Sequence, residues 1–157
     1  MLEQNRQIAR LFREDLWNTG SLEIADQILS PDCRIDARVP FRTDFMVGPE
    51  ALKQLLLLYR ESFSEIRMEI QDMVAETDRV VTRWIGGGTH TGTLFLPEAR
   101  GRRAEITGMD FLVVREGRIV EGWIAWDLFG LLRSLGVPLP GDADWQETGV
   151  RDPAAGA

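Results

Sequence analysis

The chain has 157 residues, enough for one domain with a single core and room for a pocket. A hydrophobic share of 44% against 27% charged residues is that of an ordinary soluble globular chain, and no apolar run approaches the roughly 18 residues of a membrane span. The net charge of −7 argues against nucleic acid, whose phosphates are bound mainly by clustered Lys and Arg; the one basic cluster, Arg100, Arg102 and Arg103, reads as a solvated loop.

The opening Met1-Leu-Glu-Gln-Asn-Arg lacks the basic start and continuous apolar core of a secretory signal. The lone Cys33 can make neither an internal disulfide nor an all-cysteine metal site, and both features point to the cytoplasm. As a nucleophile Cys33 needs a neighbouring base, so it reads as a small residue packed at the start of a strand.

In chain order, Ile8, Leu11, Phe12 and Leu16 stand at helical spacing and predict an amphipathic helix over residues 3–18, stopped by Asn18-Thr-Gly20. Ser21 can cap a second helix with Leu22, Ala25, Ile28 and Leu29 on its buried face, ending before Pro31. A short strand is predicted over 33–37, then an irregular segment to Gly48. Pro49 opens a third helix, whose apolar face runs from Ala51 to Phe63. From Ile66 the period becomes two. Strands are predicted over 66–73, 80–85, 106–114 and 118–126, with turns at Thr77-Asp78 and Glu116-Gly117 and a Gly-Gly-Thr-His-Thr-Gly turn at 87–92. Residues 127–135 form a closing helix stopped by Gly136 and Pro138, with Asp127 placed to cap it. Residues 140–157, rich in Gly, Pro, Ala and Asp, are expected to be a poorly ordered tail to a single domain over 1–139. Helices grouped early and strands grouped late indicate an α+β domain with an antiparallel sheet covered on one face.

Several stretches, taken together and in order, resemble the SnoaL-like polyketide cyclase family. They are Gly48-Pro-Glu-Ala-Leu, Phe63-Ser, Asp78-Arg-Val-Val-Thr-Arg-Trp, Gly88-Thr-His-Thr-Gly92, Gly108-Met-Asp110, Glu116-Gly-Arg-Ile-Val-Glu121 and Trp126-Asp-Leu-Phe-Gly-Leu-Leu-Arg-Ser-Leu-Gly136. The resemblance implies a nuclear transport factor 2-like cone, a curved antiparallel sheet whose concave face is covered by three helices around an apolar cavity. It further implies a homodimer, a hydrophobic small-molecule substrate, no nucleic-acid or membrane partner, and acid/base chemistry without cofactor. The same cone hosts hydroxylases, isomerases, epoxide hydrolases and plain binding proteins, so fold alone leaves the reaction open.

Aldol ring closure needs a base for a carbon-bound proton and an acid for the new oxygen. The resemblance puts the cyclases' carboxylate just after the position of Trp123, where this chain has Ile124, and puts their histidine where it has Gly122. That argues against ring closure by the standard route and makes Asp110 the leading catalytic carboxylate. A carboxylate in an apolar cavity is expected to have a raised pKa through desolvation. The alternative is a buried aspartate held by backbone groups or by Arg83. His90, the only histidine, either orients a catalytic carboxylate or holds its turn through backbone hydrogen bonds. Trp17, Tyr59, Phe63, Arg83, Ile124 and Trp126 make up the expected substrate-binding set, with Ile124 and Trp126 on one face of the last strand and Trp123 on the other, where a second subunit would pack. One histidine, one cysteine and scattered acids offer no metal-ligand spacing. Carrying a hydrophobic molecule without chemistry is the competing class, and a purely structural dimerisation domain predicts no cavity at all.

Overall fold

A computed structural model of the chain describes residues 1–37, 45–92 and 97–138. The expected tail over 140–157 and part of the irregular segment before Gly48 lie outside the described residues.

The first helix is longer than its apolar periodicity implies and is interrupted. It runs as α1 (Leu2–Arg10), one π turn (Leu11–Asp15) and α2 (Leu16–Thr19). Gly20 ends it in the left-handed conformation, φ 73°, which a residue without Cβ adopts freely. α3 (Leu22–Ile28) follows with Ser21 at its N-cap, although the hydroxyl makes no capping bond.

β1 (Leu29–Asp36) starts four residues before its expected position. Pro31 is tolerated because the register against β6 shifts between Leu29 and Arg34, so its missing N–H interrupts no regular ladder there. β2 (Met46–Val47) is a short strand within the segment expected to be irregular. It leads into α4 (Gly48–Ser62), which carries Pro49 in its first turn.

The remaining strands are β3 (Phe63–Glu76), β4 (Arg79–His90), β5 (Arg103–Arg115) and β6 (Arg118–Trp126), and α5 (Leu128–Ser134) closes the described chain. They form one curved, unclosed sheet in the order β2-β1-β6-β5-β4-β3, antiparallel except where β1 runs parallel to β6. Glu116 and Gly117, at φ 50° and 74°, make the tight β5–β6 hairpin.

β4 corrects the sequence reading most clearly, because it does not stop at Ile85 but continues through Gly86-Gly-Gly to His90. Those glycines are paired strand rather than turn. A Cβ on Gly87 would overlap the Ala104 carbonyl oxygen, and one on Gly88 would come within 2.9 Å of that of Ser64. Glycine therefore lets three strands stay paired where their backbones approach closely.

β3 lies at the sheet edge, and side chains of the first helix take up its free backbone groups. Asn18 Nδ2 donates to the Met68 carbonyl at 3.0 Å and Asn18 Oδ1 accepts the Met68 N–H at 2.6 Å. Glu14 accepts the Ile70 N–H at 2.8 Å. These bonds protect an otherwise open edge and fix the helix over the concave face. The main core lies beneath, built from Phe12, Leu16, Leu52, Leu56, Trp84 and Leu112 among others; a smaller one joins Phe63, Ala104, Leu131 and Leu135 under α5.

Candidate active site

Even-numbered residues of β4 and β5 point inward, so the pairing register lays out the site in rows. One row is Thr82, Asp110 and Ile124, side by side on β4, β5 and β6 and all buried; the next is Trp84, Gly108 and Trp126. Gly108 has no side chain because the Trp84 ring occupies its space, and the Ala125 carbonyl oxygen would stand 2.7 Å from a Cβ there.

Asp110 does not stand alone in an apolar pocket. Arg13, in the π turn, donates from Nε to Oδ2 at 2.8 Å and from Nη2 to Oδ1 at 2.5 Å, while the Thr82 hydroxyl donates to Oδ2 at 3.1 Å. Both side chains of the ion pair are at most 3% exposed. A parallel two-bond fork of this kind holds both groups rigidly. The cation on Asp110 is thus Arg13 and not Arg83, whose side chain is exposed on the outer face of β4, away from the cavity. The guanidinium also lies 4.1 Å from the Trp84 ring centroid, a cation–π contact in buried surroundings.

The cavity in front of this row is about 80 Å³ and almost wholly apolar. Of the residues named for substrate binding, Trp17, Tyr59, Phe63, Ile124 and Trp126 line this cavity; Arg13, Met68, Trp84 and Ile106 line it as well. Arg13 is the only charged residue among the described lining residues, and Asp110 sits behind it in the wall. Trp17 meets Tyr59 edge-on at 6.0 Å, and Tyr59 stacks near Phe63 at 6.3 Å. Burial raises the Tyr59 pKa, because the phenolate would lose its hydration. Trp126 donates its indole N–H to the Ala37 carbonyl at 2.9 Å. Trp123 points outward and is 40% exposed.

His90 is fully buried but is not among the lining residues. Its ring packs edge-on against Phe63 at 5.1 Å, its backbone N–H donates to the Arg102 carbonyl at 2.9 Å, and its backbone carbonyl accepts from the Gly101 N–H at 2.7 Å. It lies eight residues beyond Thr82 on β4, roughly 25 Å along the strand, so His90 and Asp110 are not brought together. Asp127 caps α5, accepting the Gly130 N–H at 2.8 Å. Among the described residues no group of three or more His, Cys, Asp or Glu is placed to hold a metal ion.

Arg13 and Trp84 are the polar-bearing lining residues that sequence reading did not place in the site, along with the apolar Met68 and Ile106. The available signal for Arg13 was a cation four residues from both Ala9 and Trp17 on a buried helix stripe.

A curved sheet roofed by helices around an apolar cavity is a nuclear transport factor 2-like cone of the kind that binds small molecules. Residues 7–135 match the SnoaL-like polyketide cyclase family, and the chain belongs to that family. Solved structures agree. A candidate polyketide cyclase of Bacillus cereus is 25% identical with TM-score 0.72, over 87% of this chain and 83% of the other. IdmH, a candidate polyketide cyclase of Streptomyces antibioticus, is 26% identical with TM-score 0.73, over 85% and 99%. AclR, a candidate hydroxylase of Streptomyces galilaeus, shares the fold at 22% identity, TM-score 0.76, over 96% of each chain. No protein of curated function matches the chain.

Proposed function

We propose that the protein is an enzyme acting on an apolar, polyketide-like or otherwise ring-bearing small molecule, using its own side chains to stabilise negative charge that develops on a substrate oxygen. One observation carries this reading: the single charged residue among the described lining of the apolar cavity, Arg13, is pinned by Asp110, itself held by the Thr82 hydroxyl, in the row where Ile124 stands. The Arg13 Nη1 group makes no hydrogen bond among the described residues, so it is available to a carbonyl, enolate or alkoxide oxygen. Such a donor acts strongly where water is excluded and needs no reorganisation during reaction. Asp110 then works as a positioning residue that aims Arg13, and His90 holds the far end of β4. Ring closure, isomerisation, hydroxylation and epoxide opening can all develop oxygen-centred charge, and the reading spans them.

The test is hydrogen–deuterium exchange at the activated C–H of a tricyclic β-keto ester, with product analysis by mass spectrometry. Removing one partner of a buried pair costs about 3–5 kcal/mol, so the informative variant replaces both, Arg13→Met with Asp110→Leu. That variant is expected to fold and to lose roughly a hundredfold or more in rate; an unchanged rate overturns the reading. A second reading, a carrier that shields its ligand, is favoured by the lack of any carboxylate or imidazole among the described lining residues. Ligand retained without exchange or product supports the carrier.

The reading also takes residues 1–139 as one domain acting in the cytoplasm as a homodimer. Its single sheet, its buried unpaired Cys33 and the exposed apolar residues of the outer sheet face support these three points in turn.

A further inference from the structure

On the first helix, Arg13 and Trp17 line the cavity, whereas the residues that follow them, Glu14 and Asn18, reach sideways to the free edge of β3. The Asn18 amide takes both outward backbone groups of Met68, at 3.0 and 2.6 Å, as a paired strand would. The Glu14 carboxylate accepts the N–H of Ile70, two residues further along the strand, at 2.8 Å. The spacings match: four helical residues advance about 6 Å and two strand residues about 6.6 Å, so the two side chains meet alternate residues of the edge. The π turn brings the pairs into line. In an α-helix, residues four apart are turned about 40° from one another, whereas the wider turn over Leu11–Asp15 takes in more residues and reduces that offset. One pair therefore stays on the cavity side while the other stays on the β3 side.

We propose that Glu14, Asn18 and the π turn form an aiming ladder: by fixing how the first helix is rolled against β3, they hold Arg13 on Asp110 and over the Trp84 ring. Glu14 and Asn18 are then positioning residues of the site, although neither is among the described lining residues. The proposal rests on the reading of Arg13 as the group that meets a substrate oxygen and names what holds it in place. Asp110 fixes the tip of the arginine, and the ladder fixes its base. A side chain held at both ends has little freedom left, which is what a preorganised donor needs.

The test follows the Arg13 Nε–H by proton–nitrogen NMR alongside deuterium exchange of the tricyclic β-keto ester. The resonance is assigned by its absence from the Arg13→Met, Asp110→Leu variant. In the parent it is expected to exchange slowly with water, being buried and bonded to a carboxylate. Replacing both rungs, Glu14→Ala with Asn18→Ala, is expected to speed that exchange roughly tenfold or more and to lower kcat about ten- to a hundredfold with little change in KM. Glu14→Ala alone moves both readouts the same way by less, and Glu14→Gln, which keeps a carbonyl acceptor, holds them at parental values. Leu135→Ala weakens the small core under α5, away from the ladder, so it lowers the urea midpoint while leaving the arginine resonance in place. A resonance that stays slow in the double variant, or that Leu135→Ala moves as much, overturns the ladder whatever the rates. A parent that exchanges no substrate proton overturns the reading of Arg13 as the substrate's partner, and the resonance still reports whether the ladder aims it.

Discussion

Asp110 was legible as a carboxylate set in an apolar strand, and its burial follows directly from strand alternation. Its partner was not, because Arg13 lies 97 residues away and only the folded chain brings the fork and the carboxylate together. The same holds for Tyr59: helical periodicity puts it near the apolar face of α4, but only the tertiary structure leaves its hydroxyl dry. That burial has a consequence in alkali. Tyr59 is the only tyrosine, so phenolate absorbance reports on it alone. An unfolded phenol ionises near pH 10, whereas burial raises the folded value. The folded state keeps its proton where the unfolded state has lost it, so stability is intact below about pH 10 and falls as pH rises beyond it. The phenolate band is expected near pH 10 in urea-unfolded protein, and in folded protein only as unfolding begins. A band at the same pH in both states contradicts the burial.

At the scale of elements, apolar periodicity located the helices and the four strands of the β3–β6 meander to within a few residues, apart from the ends of β3, β4 and β5. The ends beside the glycine run, the start of β3, the end of β4 and the start of β5, were missed for one physical reason. A glycine run signals a turn when read locally, yet here Gly86, Gly87 and Gly88 make close strand pairing sterically possible. Gly108 plays the matching role on β5, leaving space for the Trp84 ring that stacks on Arg13. Gly108→Val is therefore expected to displace Trp84 and lower stability by about 1–3 kcal/mol, measured by urea unfolding. It should also alter tryptophan fluorescence; a variant with parental stability and emission would show that the ring has room to move. The π turn of the first helix has no evident sequence signature, since nothing in Leu11-Phe-Arg-Glu-Asp15 disfavours an ordinary α-helix.

For the whole molecule, the outer sheet face is the open matter. Ile85, Met109, Phe111 and Trp123 are exposed there, with Phe111 and Trp123 meeting edge-on at 5.6 Å. Contiguous apolar surface of this kind marks an interaction site, and a second copy of the chain is the occupant proposed here. Light scattering is expected to give twice the chain mass for the parent and the single-chain mass for Trp123→Lys. A monomeric parent defeats the proposal. No helix among the described residues is long and apolar enough to cross a membrane.

The α+β class and the order of the main elements follow from short-range patterns of period 3.6, period 2 and turn chemistry, while the family and the cavity-facing place of Trp17 come from the resemblance that a series of local motifs carries. What side-chain neighbours make of those residues is decided by contacts between distant segments. The fold turns Asp110 from an apparent free base into the anchor of Arg13, sets His90 behind Phe63, and buries the Trp17 and Trp84 indole N–H groups and the Tyr59 hydroxyl without a partner among the described residues. Periodicity specifies which face a residue occupies, whereas ion pairing and desolvation depend on what the rest of the chain brings to that face.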